Sequence, residues 1–152
     1  MNPKLQQLID DGLVIPLSQR SAKQADARLK AARRDLLASE GIAEQSPDWA
    51  YSIAYNAALQ AGRALMFHHG FRPTSGEGAH VAVVRFLESA LGGDLPTHVG
   101  LLETMRRKRH QAVYETMGLI GKGELAAAQE AAQAVCSSVE AIIASNTTLD
   151  FG

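Results

Sequence analysis

The sequence predicts an all-α protein, an up-and-down antiparallel bundle of four to five helices in a single domain over residues 1–152. Two features of the chain lead there. Hydrophobic residues make up 46% and aromatic ones only 5%, a balance that suits closely packed, alanine-rich helices better than a β-sandwich. Four long segments also repeat their apolar residues at helical spacing and are joined by short, glycine- or proline-marked links. A chain of 152 residues is long enough to build such a core without disulfides or a structural metal.

The elements follow in order. Residues 3–10 make a short helix, ended by Gly12 and Pro16. Ser21 to Gln24 reads as a capping box opening a helix to about Ser39, with Ala25, Leu29, Ala32 and Leu36 on one face. Lys30, Arg33 and Arg34 fall off that face and read as its solvated surface. After a turn over residues 40–45 comes the central helix. Ser46 is its N-cap, Pro47 takes the first position, Asp48 complements the dipole, and Gly70 and Pro73 end it. Ala54, Ala57, Ala58, Ala61 and Ala64 let neighbours approach it closely, while Asn56, Gln60 and Arg63 form one polar stripe.

A glycine-rich turn over 72–78 leads to a third helix from about Gly78 to Leu91, carrying His80, Val84, Leu87 and Leu91 and stopped by Gly92-Gly93-Asp94. A fourth helix starts at Pro96 or Thr97 and is expected to reach about Leu119. A fifth runs from about Lys122 to Ser145 with Leu125, Ala128, Ala132, Val135, Val139 and Ile142 on its stripe. The bundle proper thus spans 21–145, and 146–152 read as a tail.

Composition narrows the function. A net charge of -1 argues against wholesale coating of nucleic acid, so any contact with RNA must come from a local cluster, and Arg106-Arg107-Lys108-Arg109-His110 is one. The lone Cys136 on a helix suits a reduced thiol and a cytoplasmic protein. No apolar run approaches the roughly 18 residues of a membrane span, and the N-terminus lacks the pattern of a secretory leader. His68, His69, His80, His98 and His110 lie at no recognised ligand spacing with Cys, Asp or Glu, so no metal and no cofactor are expected. His80, among apolar neighbours, reads as a core histidine bonded to a carbonyl, with Arg72 and Glu77 near it. Phosphate loops, dinucleotide fingerprints and nucleophile elbows are absent from the sequence.

The fourth helix holds the clearest candidate site. Its apolar stripe is Leu102, Met105, Ala112 and Val113, and Arg109 lies inside that stripe. A guanidinium there must be paired or face a cavity, because an unpaired buried one costs several kcal/mol. Arg106, His110 and Tyr114 follow at four-residue steps on the adjoining face. Such an edge suits a phosphate; its plainer reading is a basic rim with one arginine tying two helices together.

The run YNAALQAGRALMFHHGFRPTSGEGAHVAVVRFLE followed by MRRKRHQAVYE resembles the HEPN superfamily, helical domains named for higher eukaryotes and prokaryotes nucleotide binding. The resemblance covers roughly Trp49 to Val139. It implies an up-and-down bundle, commonly a homodimer, of a kind that includes toxin ribonucleases and partners of minimal nucleotidyltransferases. Nuclease members carry a histidine four to six residues after an arginine late in the bundle. Here the position five after Arg109 is Tyr114, and no histidine follows Arg109 within that reach. A phenol with a pKa near 10 moves protons poorly at neutral pH. Arg63 to His68 satisfies the same spacing in a different helix and is discounted as a motif, though Arg63 stays a candidate if its stripe faces Arg109.

The resemblance therefore implies a protein that binds a nucleotide, RNA or a nucleotidyltransferase-type partner without nuclease activity, through Arg106, Arg109, His110, Tyr114, Arg63 and Asn56. Two alternatives are a metal-independent ribonuclease with an unconventional site of Arg63, Arg106, Arg109 and His110, and a pure protein-protein interaction module.

Overall fold

The computed structural model describes residues 2–114 and 118–149, and for Ala112, Val113 and Tyr114 the backbone alone. Within them it is predominantly an all-α bundle: α1 (Pro3–Asp10), α2 (Ala22–Ile42), α3 (Pro47–His68), α4 (Ala79–Leu91), α5 (Pro96–Tyr114) and α6 (Lys122–Ala144), with two short strands, β1 (Val14–Pro16) and β2 (Phe71–Pro73).

The caps follow the sequence. Ser21 Oγ accepts the Gln24 N–H at 3.2 Å and Ser46 Oγ the Trp49 N–H at 3.4 Å, with Pro47 at the first turn of α3. Gly70 closes α3 at φ +83°, a left-handed conformation that glycine adopts without strain.

Cross-helix bonds establish the topology. Between α2 and α3, Ser39 donates to the Ala50 carbonyl, Asn56 to Asp35, and Arg28 to Gln60. One number falls as the other rises, so the pair is antiparallel. The same test makes α5 antiparallel to α6, through Lys108–Glu124 and His98–Glu130, and Arg109 joins α5 to Ser52 of α3. Gln129 reaches Ser39 and Arg33 reaches Glu140, so α6 is antiparallel to α2 as well. Helices α2, α3, α5 and α6 thus form an up-and-down bundle in which α3 and α6 are parallel.

Helix α3 is its axis: Ala50, Ala54, Ala57, Ala61 and Ala64 are all fully buried. Side chains this small allow short interhelical distances. Gly62 goes further, since a Cβ there would stand 2.5 Å from Val83 Cγ1 and 2.9 Å from Leu87 Cδ1 of α4. Around α3 pack Leu87, Phe86, Leu102, Met105, Val135 and Val139, large side chains that each contribute about 1.5–3 kcal/mol by leaving water.

Three features depart from the sequence reading. Val14–Pro16 and Phe71–Pro73 pair antiparallel, Ile15 opposite Arg72, where a connector and a turn were expected. Helix α5 does not reach Leu119. Gly118 takes φ +78°, and the buried Asp48 carboxylate accepts the N–H groups of Gly118 at 2.5 Å and Ile120 at 3.1 Å. Asp48 therefore holds the α5–α6 link in addition to facing the N-terminal end of α3. Residues 146–149, expected as a tail, are tied down by the histidine pair. Nε2–H of the buried His68 donates to the Thr147 carbonyl at 2.6 Å. His69 donates from Nδ1 to the Leu65 carbonyl and accepts the Leu149 N–H at Nε2, both at 2.9 Å. The carbonyl and amide partners fix His69 as its neutral tautomer.

Candidate anion site between α4 and α5

A cavity of about 380 Å³ opens at the start of α4 and the second half of α5, lined by His80, Arg106, Arg107, Arg109, His110 and Gln111. Two successive turns of α5 deliver its cations, and α4 contributes His80 from its first turn.

Carboxylates are scarce here. Glu103 accepts from Arg106 twice, Nη2 at 2.6 Å and Nε at 3.1 Å, and pairs with Arg107 Nε at 3.3 Å. The hydrogen bond from Arg106 holds the Glu103 carboxyl below its ordinary range and raises Arg106 in return. Arg109 has no carboxylate partner among the described residues; its Nε donates to Ser52 Oγ at 3.1 Å, and its guanidinium lies over the Tyr55 ring. The sequence demanded that this arginine be paired or face a cavity, and it faces a cavity.

His80 meets the Tyr55 ring edge-on, with centroids 5.7 Å apart. The expected carbonyl bond is replaced by this ring contact, and Arg72 donates to the Pro73 carbonyl instead. Burial, then Arg109, Arg63 and Arg106, lower the pKa of His80, so its imidazole is neutral at pH 7. Arg63 is itself lowered, by burial and then by Arg28, and among the described residues no carboxylate neutralises it.

The structure gathers Arg106, Arg109 and His110 around one cavity and sets Arg63 within electrostatic reach of His80, outside the lining. Asn56 is not part of it, because its amide is committed to Asp35 at 2.8 Å. The polar stripe of α3 faces α2. The side chain of Tyr114 lies outside the described residues. Sequence reasoning missed one member of the lining, His80, and one buried residue behind it, Tyr55. His80 reads in the sequence as a core residue because its neighbours are apolar, and Tyr55 is not singled out there at all; nothing in the spacing shows that both lie beside α5.

Among the described residues no three His, Cys, Asp or Glu side chains gather as a metal site, and no helix is long and apolar enough to cross a membrane. Compared with protein-family models, curated proteins and solved structures, the chain gives no match.

What the arrangement can do is bind an anion. Two arginines that meet no carboxylate among the described residues, Arg63 and Arg109, and the Arg106–Arg107 pair sharing Glu103 leave a local positive excess in a protein of net charge -1. A phosphate group accepts several guanidinium donors at once, and such charge-assisted bonds are about twice as strong as neutral ones.

Proposed function

We propose that this protein is a HEPN-like helical bundle that binds a phosphate-bearing ligand, a nucleotide or RNA, in the cavity between α4 and α5. The observation that carries the reading is Arg109, a half-buried guanidinium from an apolar helix stripe, without a carboxylate among the described residues and lining a cavity with Arg106, Arg107 and His110. A cation tying two helices together would end on an acid, as Arg33 does on Glu140. Arg109 ends on a serine hydroxyl and an open cavity. The protein works in the cytoplasm as a homodimer, a state favoured by the exposure of Leu37 at 70% and Trp49 at 48%, and a nucleotidyltransferase-type protein is its candidate partner.

The test is titration calorimetry of the native chain and of Arg109→Ala with adenosine monophosphate and with a short single-stranded RNA. Native binding that weakens at least tenfold in the variant and falls with rising salt supports the reading. Absence of binding by the native chain overturns it.

A second reading, a metal-independent ribonuclease, is favoured by one observation: His80 brings a neutral imidazole next to the arginines. In that chemistry His80 takes the proton of a ribose 2′-hydroxyl while Arg106 and Arg109 neutralise the phosphate. Cleavage of generic single-stranded RNA by nuclease-free native protein, lost in His80→Ala, would establish it; the absence of cleavage leaves the binding reading standing alone.

A further inference from the structure

Tyr55 is fully buried in the middle of α3, yet its hydroxyl is one of two buried side-chain oxygens that meet no hydrogen-bond partner among the described residues. Buried polar atoms nearly always have partners, and an orphan marks either an error of folding or a missing companion. The surroundings identify the companion. Over the ring lies Arg109, its Cζ 6.0 Å from the centroid, and at the edge stands His80. Guanidinium groups donate and never accept, so neither Arg106 nor Arg109 can take the phenolic proton. The carboxylate of this neighbourhood, Glu103, is already engaged by Arg106 and Arg107. His80, although neutral and so carrying an acceptor nitrogen, meets only the ring of Tyr55 and makes no hydrogen bond to its hydroxyl. A hydroxyl left without an acceptor beside cations suits an anionic oxygen.

We propose that Tyr55 is the innermost contact of the cationic cavity, its O–H donating to an oxygen of the bound phosphate group whose charge Arg106 and Arg109 neutralise. This rests on the phosphate-binding reading above and adds to it the residue that closes the site from within. Burial raises the phenol above its ordinary range, with Arg106 and Arg109 opposing, so the group stays protonated and remains a donor across physiological pH. Arg109, tethered by one bond to Ser52, covers the ring and is the side chain that rotates to admit the oxygen. The arrangement sets stability against binding: the hydroxyl weakens the empty protein and strengthens the occupied one.

The experiment compares native protein, Tyr55→Phe and Arg109→Ala in thermal unfolding without ligand and in calorimetric titration with inorganic phosphate, adenosine monophosphate and a short single-stranded RNA. Tyr55→Phe is expected to melt at the native temperature or above and to bind phosphate and adenosine monophosphate about tenfold more weakly, the loss of one hydrogen bond to a charged acceptor. Native affinity retained in Tyr55→Phe overturns this inference and leaves the cavity reading intact. A melting temperature below native overturns it too, because the hydroxyl then has a structural partner. Weakening confined to RNA, with phosphate binding unchanged, places the phenol on a base or sugar and also overturns it. Failure of the native chain to bind any probe removes the inference together with the reading beneath it.

Discussion

The guanidinium of Arg109 stands over the ring of Tyr55, 6.0 Å from its centroid, with its Nε tied to Ser52. The cation therefore touches α3 through one aromatic face and one hydroxyl. Removing it takes away a cation–π contact and one hydrogen bond, but also relieves its repulsion of neighbouring cations. Arg109→Ala is expected to change stability by no more than about 1 kcal/mol. Because Arg109 is the leading charge acting against protonation of His80, the variant should raise the pKa of His80 towards its ordinary value while burial still holds it below. Titration of the imidazole by NMR reads this directly; an unmoved His80 would mean that the two side chains are not neighbours.

Asp48 offers a larger effect. Its two oxygens accept the N–H groups of Gly118 and Ile120, and both it and Ile120 are buried. Asp48→Ala strands the buried Ile120 N–H away from water, while the N–H of the exposed Gly118 can turn to solvent, and should destabilise the protein by about 2 kcal/mol in urea unfolding. Asp48→Asn, which keeps one good acceptor, should lose roughly half as much on the same reasoning.

Gly62→Ala tests how closely α3 and α4 approach. The added Cβ meets the stiff, β-branched Val83 at 2.5 Å. Overpacking costs about 1–3 kcal/mol, against a gain of about 1 kcal/mol in helix propensity, so a lower melting temperature is expected. The smaller Val83→Ala change, made together with Gly62→Ala, should recover part of that loss.

The histidine pair predicts an acid-sensitive C-terminal segment. Burial lowers His69 from its ordinary value, and its neutral Nε2 is needed to accept the Leu149 N–H. As pH falls below about 6.5 the unfolded chain takes up this proton before the folded one, so stability is complete above that pH and declines beneath it. His80, also lowered, acts in the same direction. Melting temperatures should fall between pH 7 and pH 5, with a shallower slope in His69→Gln, where no group titrates. Hydrogen exchange at Leu149 should speed up over the same range.

Light scattering at micromolar concentration is expected to give the mass of two chains, with Leu37→Glu or Trp49→Glu shifting it towards one. A single-chain mass for the native protein would remove the homodimer.

Helix identity was written locally. Ser21, Ser46, Pro47 and Gly70 mark ends through bonds and backbone angles that involve residues a few positions away; the apolar repeats of α2, α4 and α6 reflect one buried face each, and α3 is buried on nearly every side. The placement of an arginine in the apolar stripe of α5 was equally legible, because burial of an unpaired charge is forbidden wherever the chain goes. What the sequence by itself determined is therefore the all-α class, the order of the helices and an arginine in α5 that had to be either paired or set against a cavity.

Other relationships arose only when distant segments met. The β1–β2 pairing joins two stretches of three residues, too short to show a strand period, and its hydrogen bonds exist only once α3 has brought Phe71 back to Pro16. The segment before α6 is held by a carboxylate at Asp48, far away in sequence, which accepts the N–H groups of Gly118 and Ile120. His80 looked like an ordinary core residue because its own neighbours in the chain are apolar, and nothing in the chain singled out Tyr55. Tertiary structure set them under the arginines of α5, leaving a buried hydroxyl beside cations. Caps and periodicity act over one or two helical turns and can be read along the chain, whereas the charge around a side chain is the sum over whatever the fold packs beside it.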